Sequence, residues 1–102
     1  MHQHHWYTLF KGLADGYGLD EWIAGFVFPI VPHLSDEAMR VTSYVAAMEM
    51  LGTWTTCSLN HSLTTTTPKT ARAIIEPQAE VGIRQVFAKG GAARRPATPA
   101  IP

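Results

Sequence analysis

The feature that most constrains this chain is a strand–helix–strand pattern with no hairpin turn inside it. Thr53–Leu59 is rich in β-branched and aromatic residues, and Thr67-Pro68 then opens a helical stretch that runs to Gly82. Ile83–Ala88 comes next as a short run that reads as a buried strand. Two strands joined through a helix run parallel, because the crossover carries the chain back to the end where the first strand began. A parallel sheet is normally covered on both faces. The 102 residues, 46% of them hydrophobic, suffice for one small domain but supply too few strands to finish such a sheet. The fold class expected is α/β, with an architecture that looks unfinished.

The half before Thr53 reads as helical. Trp6, Leu9, Phe10 and Leu13 recur at helical spacing between His5 and Asp15, and Gly16 and Gly18 stop the pattern. Asp20 and Glu21 open a second short helix through Phe28, which Pro29 is expected to end. Ser35 is a suitable N-cap for a third helix, with Asp36 and Glu37 in its first turn and Gly52 at its close. Val41, Tyr44, Val45, Met48 and Leu51 mark its apolar face. In the fourth helix Ala71, Ile74, Ile75 and Ala79 are expected to point inward, and Pro77 to kink or split it. Gly90-Gly91, Arg94-Arg95 and three prolines make residues 90–102 a tail after a unit spanning 1–89.

Composition narrows the partners. Only 16% of the residues are charged, against roughly 25% in an ordinary soluble chain. A surface so poor in charge suits a chain that sits against more protein, through self-association or against a missing remainder. Residues 1–60 hold six acids and two bases, and residues 61–102 hold two acids and six bases. The basic half has no stripe of interleaved aromatics, so nucleic acid is not expected as a partner. Apolar runs fall short of the roughly 18 residues of a membrane span, and the first residues lack the pattern of a secretory signal. A cytoplasmic setting is expected. The single Cys57 excludes an internal disulfide framework and a cysteine-rich zinc finger.

The densest chemistry is at the start, in His2, His4 and His5. In an extended segment residues two apart share a face, so His2 and His4 could aim both imidazoles at one metal ion. A solvated, histidine-rich terminus is the plainer alternative. His33 lies in a loop setting, where a histidine is usually just solvated. Asn60-His61-Ser62 comes directly after the Thr53–Leu59 strand, at the position where parallel sheets place function. Trp6, Phe10, Trp22 and Phe26 form a stripe that more often belongs to a core than to a ligand pocket.

Taken in order, these pieces resemble the metal-dependent amidohydrolase superfamily, in its chlorohydrolase and aminopurine/cytosine-deaminase branch. His2-Gln3-His4-His5-Trp6-Tyr7-Thr8-Leu9-Phe10-Lys11-Gly12 looks like the family's H-x-H segment and the aromatic helix after it. Asp20-Glu21-Trp22-Ile23 with Phe28-Pro29, Ala46–Leu51, Thr55–His61 and Gly82-Ile83-Arg84 look like the family's subsequent stretches. The likeness covers about residues 2–89. Trp54 stands where the family usually has a glycine, and Ser58 where an apolar strand residue is usual.

The resemblance implies a partial (β/α)8 TIM barrel, roughly the first two to three βα units, from a fold of about 250 residues or more. It implies that His2 and His4 match the first two metal ligands, zinc most of all, with iron in some members. Weaker candidates for touching substrate are His61 and Trp6, and His5 or His61 are speculative additions to the metal ligands. It also implies a parent that hydrolyses carbon–nitrogen or carbon–halogen bonds of a small heterocyclic substrate. Two further histidines, an aspartate and a catalytic glutamate come from later strands in the family and are not in this sequence. The chain therefore reads as a fragment that is inactive and holds metal loosely by itself. The alternative is a small non-catalytic module that docks on a partner.

Overall fold

Ser35 begins the longest helix, α3 (Asp36–Gly52), by accepting the Ala38 N–H at 3.1 Å on its hydroxyl. Thr67 does the same for α4 (Pro68–Val81), accepting the Thr70 N–H at 3.1 Å, and Pro68 fills the first turn, where an N–H is dispensable. Gly82, at φ 95°, closes α4 in the left-handed conformation. The computed structural model describes residues 1–65 and 67–90; the tail expected over 90–102 lies, from residue 91 on, outside them.

The faces these helices bury differ from those their large apolar residues mark. α3 buries Met39, Thr42, Ser43, Ala46, Ala47 and Met50, while Val41, Val45 and Met48 are exposed. α4 buries Thr70, Ala73, Ile74, Pro77 and Gln78, while Ile75 and Ala79 face out. Small residues let the two helices approach closely, and that gain outweighs the burial of bulkier side chains one position away. Gln78 Nε2 donates to the Ser43 carbonyl at 2.7 Å across this contact. Arg40 bridges Glu76 at 3.2 Å and Glu80 at 3.0 Å at its rim. Pro77 does not split α4.

The N-terminal half departs further from expectation. His5–Phe10 is a 3-10 helix, not a regular helix to Asp15, and Gly12 (φ 81°) and Ala14 (φ 62°) turn the backbone out of any helical path beyond it. α1 (Leu19–Trp22) continues through a π-helical turn at Ile23–Val27 into α2 (Phe28–Ile30) and a 3-10 turn at Val31–His33. Pro29 therefore does not end the run. In an α-helix its ring would clash with the carbonyl four residues back. The wider turn, in which the Phe28 N–H bonds the Ile23 carbonyl, makes room for it. Trp6, Val27, Met39, Ala73 and Ile74 form the main core, with Tyr7, Phe10, Trp22 and Phe26 packed against it.

Among the described residues three parallel strands, β1 (His2–Gln3), β2 (Cys57–Ser62) and β3 (Arg84–Lys89), form one sheet in that order. β2 starts four residues later than expected, because Trp54 sits in a turn at φ 65° and is 93% exposed. The same shift brings Asn60-His61-Ser62 inside the strand. One face of the sheet lies under the helices, with Ser58, Asn60 and Ser62 buried. The other is open: Leu59 and Val86 are exposed, so β3 is not the buried strand its composition suggested. Among the described residues no helix is long and apolar enough to cross a membrane.

Candidate metal centre

Register builds the site. His2 pairs with Leu59 and Gln3 with Asn60, so one further step sets His4 level with His61. Side chains alternate along a strand, which sends His2, His4 and His61 to the open face while Asn60 turns under the helices. Their ligand nitrogens all lie within 4.8 Å of one another.

The His2 and His4 Nε2 atoms are 3.2 Å apart. Two imidazoles on one tetrahedral ion, each at about 2.05 Å, would hold their nitrogens about 3.3 Å apart. This pair is therefore already at ligand spacing. His4 Nδ1 lies 2.7 Å from the His61 carbonyl oxygen, which can only accept, so Nδ1 carries the proton. The lone pair is then on Nε2, facing His2. A backbone carbonyl on the far nitrogen is the usual way a ligating histidine is oriented. Neutral imidazole nitrogens are a donor set that suits zinc and ferrous iron.

The other candidates are placed elsewhere. His5 is 2% exposed and lies under the sheet beside Trp6, Met39 and Asn60. Burial, reinforced by the neighbouring charge of His4, lowers its pKa from 6.5 to about 4, so it is neutral at neutral pH. Trp6, 4% exposed, belongs to the core. His33 is exposed in its 3-10 turn.

A cleft of about 350 Å³ opens beside His2 and His4, with Tyr7, Lys11, Glu49 and Thr53 among its walls. Lys11 and Glu49 form an ion pair across it. Neither residue stood out in the sequence as part of a site, because they are 38 positions apart. Gly90 was also missed. Its N–H donates to the Ser62 carbonyl at 2.8 Å, so it lies against the end of β2 and not in a tail.

No family model matches the chain, and no solved structure matches it. Curated proteins do, and they define its class: the chain is a homologue of amidohydrolase-family deaminases. It is 36% identical over 89 residues, 87% of its length, to a 5'-deoxyadenosine deaminase of Methanopyrus kandleri. It is 44% identical over 59 residues, 58% of its length, to a 5-methylthioadenosine/S-adenosylhomocysteine deaminase of Lawsonia intracellularis. A protein of the same name from Clostridium tetani is 36% identical over 56 residues, 55% of the chain. The matched stretches are 19% of the Methanopyrus protein and 13% of each of the other two.

Proposed function

We propose that this chain is the metal-binding part of a cytoplasmic, deaminase-type hydrolase that releases ammonia from an adenosine-derived nucleoside. On this reading the three parallel strands are the opening βα units of a (β/α)8 barrel, and the open sheet face is the barrel's interior side. The observation that carries it is the His2–His4 pair at ligand spacing, with the second nitrogen of His4 committed to the His61 carbonyl. The deaminase names of the relatives support the reaction type and the substrate class.

A divalent ion held by His2 and His4 would supply hydroxide at neutral pH for attack on the amino-bearing ring carbon. The chain's own residues do the positioning. His4 presents Nε2 because Nδ1 is held, and His2 reaches it from two residues away on the same face. The cleft beside the pair gives an approach, and the Lys11–Glu49 ion pair neutralises the carboxylate nearest to hand within its walls. Among the described residues the histidine cluster contains no carboxylate, and the Glu49 carboxylate in the cleft wall is paired with Lys11. The 102-residue chain alone is accordingly read as inactive.

A chimera tests the reading. Residues 1–89 replace the matching segment of the Methanopyrus kandleri deaminase, and ammonia release from 5'-deoxyadenosine is measured. Release that disappears when His2 and His4 are both changed to alanine is the expected result. A folded, metal-loaded chimera without turnover would overturn the functional reading. Turnover by the isolated chain that needs both histidines would overturn its inactivity.

A further inference from the structure

We propose that His61 is a third protein ligand, so that this chain by itself closes a three-histidine site for a divalent ion of the zinc class. The inference rests on reading His2 and His4 as ligands and goes beyond it, because it adds a residue from β2.

Three features carry it. The first is register, which brings His61 level with His4 on the open face and places its ring centroid 5.4 Å from that of His4 and 5.9 Å from that of His2. The ligand nitrogens span at most 4.8 Å, against about 3.3 Å for nitrogens on one tetrahedral ion, so the cluster has only about 1.5 Å to close. The second is reciprocity. The His61 carbonyl holds His4 Nδ1 at 2.7 Å, so one residue both orients a ligand and stands beside the ion that ligand would bind. The third is the space made for the ring. A Cβ on Gly90 would stand 3.0 Å from His61 Nε2 and 3.3 Å from the Ser62 carbonyl oxygen, so the backbone at Gly90 runs directly along the edge of the ring.

Three nitrogens from the protein leave one position for water, the arrangement of a catalytic and not a closed structural site. They also bind far more tightly than two. The isolated chain should therefore retain its ion, contrary to the loose binding that a two-ligand motif implies.

The test uses the 102-residue chain with zinc and cobalt(II) as the only probes. Cobalt binding is tracked by its visible absorption, zinc affinity by competition with a chromophoric chelator, and the fold by far-UV circular dichroism. One ion per chain is expected. His61→Ala and His61→Gln should each weaken binding at least about tenfold and alter the cobalt bands, since even loss of an outer-shell partner costs that much. Unchanged affinity and bands in both His61 variants would overturn the proposal and leave His2 and His4 standing. Unchanged binding after His2→Ala with His4→Ala would overturn both readings. Should the His61 variants fail to fold, X-ray absorption on the unaltered zinc-loaded chain counts the imidazoles directly: three supports the proposal and two overturns it.

Discussion

The two faces of the sheet reverse the usual distribution of polarity. Under the helices lie Ser58, Asn60, Ser62 and His5, all buried. Ser58 Oγ, Asn60 Nδ2 and both ring nitrogens of His5 lack a hydrogen-bond partner among the described residues. The open face instead carries Leu59 and Val86, with the three histidines at one end. Polar groups left alone in a buried layer each cost about 1–3 kcal/mol, so that, Phe87 apart, the sheet's covered face adds less to the cohesion of the molecule than its burial suggests. What holds it is the aromatic core beneath Trp6 and the close α3–α4 contact. The open face, whose Leu59 and Val86 are left exposed, carries the chemistry.

Four measurements sharpen or break this contrast. Trp6→Ala should have the largest effect, about 3–5 kcal/mol off the unfolding free energy in urea, because it empties the main core. A loss below about 1 kcal/mol would show that the cohesion lies elsewhere.

His5 should make the covered face sensitive to acid. Well above pH 6.5 it is neutral whether the chain is folded or unfolded. As pH falls from 6.5 toward about 4, the unfolded chain takes up a proton that the buried ring refuses, so stability declines by about 3 kcal/mol in all. In His5→Leu the stability curve should be flatter over that range, and an equally steep decline would assign the acid sensitivity to other groups.

Trp54→Gly should stabilise by about 1 kcal/mol, because a fully exposed tryptophan in the left-handed region gives up little contact and glycine removes the backbone strain. A lower denaturation midpoint in this variant would reveal a contact for the indole. The smallest effect belongs to the open face. Val86→Thr, 56% exposed in the parent residue, should change stability by no more than about 0.5 kcal/mol at any protein concentration. A larger, concentration-dependent loss would mean that a second copy covers this face in solution.

Much of the site was legible in the residues alone. The alternation of an extended segment is enough to bring His2 and His4 to one side, and the 3.2 Å between their Nε2 atoms agrees with it. His61 was legible as a residue at the end of a strand, as a weak candidate for touching substrate and as a speculative further ligand, but not as a neighbour of His4. Its approach to His4 spans 57 positions and depends on the parallel register of β1 and β2, which no local pattern encodes.

The same division runs through the fold. The sequence by itself determined the caps at Ser35, Thr67-Pro68 and Gly82, and the parallel sense of the strands around α4, because these arise from hydrogen bonds and crossovers between near neighbours. Only the tertiary structure decided that α3 would bury Ala46 and Ala47 and expose Val41, Val45 and Met48. It alone decided that the helical run would pass Pro29 on a π-helical turn, that His5 would be buried while His4 stayed near the surface, and that Gly90 would lie against His61. Each of those outcomes is a choice between faces or paths of similar local free energy. Such ties are broken by packing against segments dozens of residues away, where a pattern read along one element carries no information.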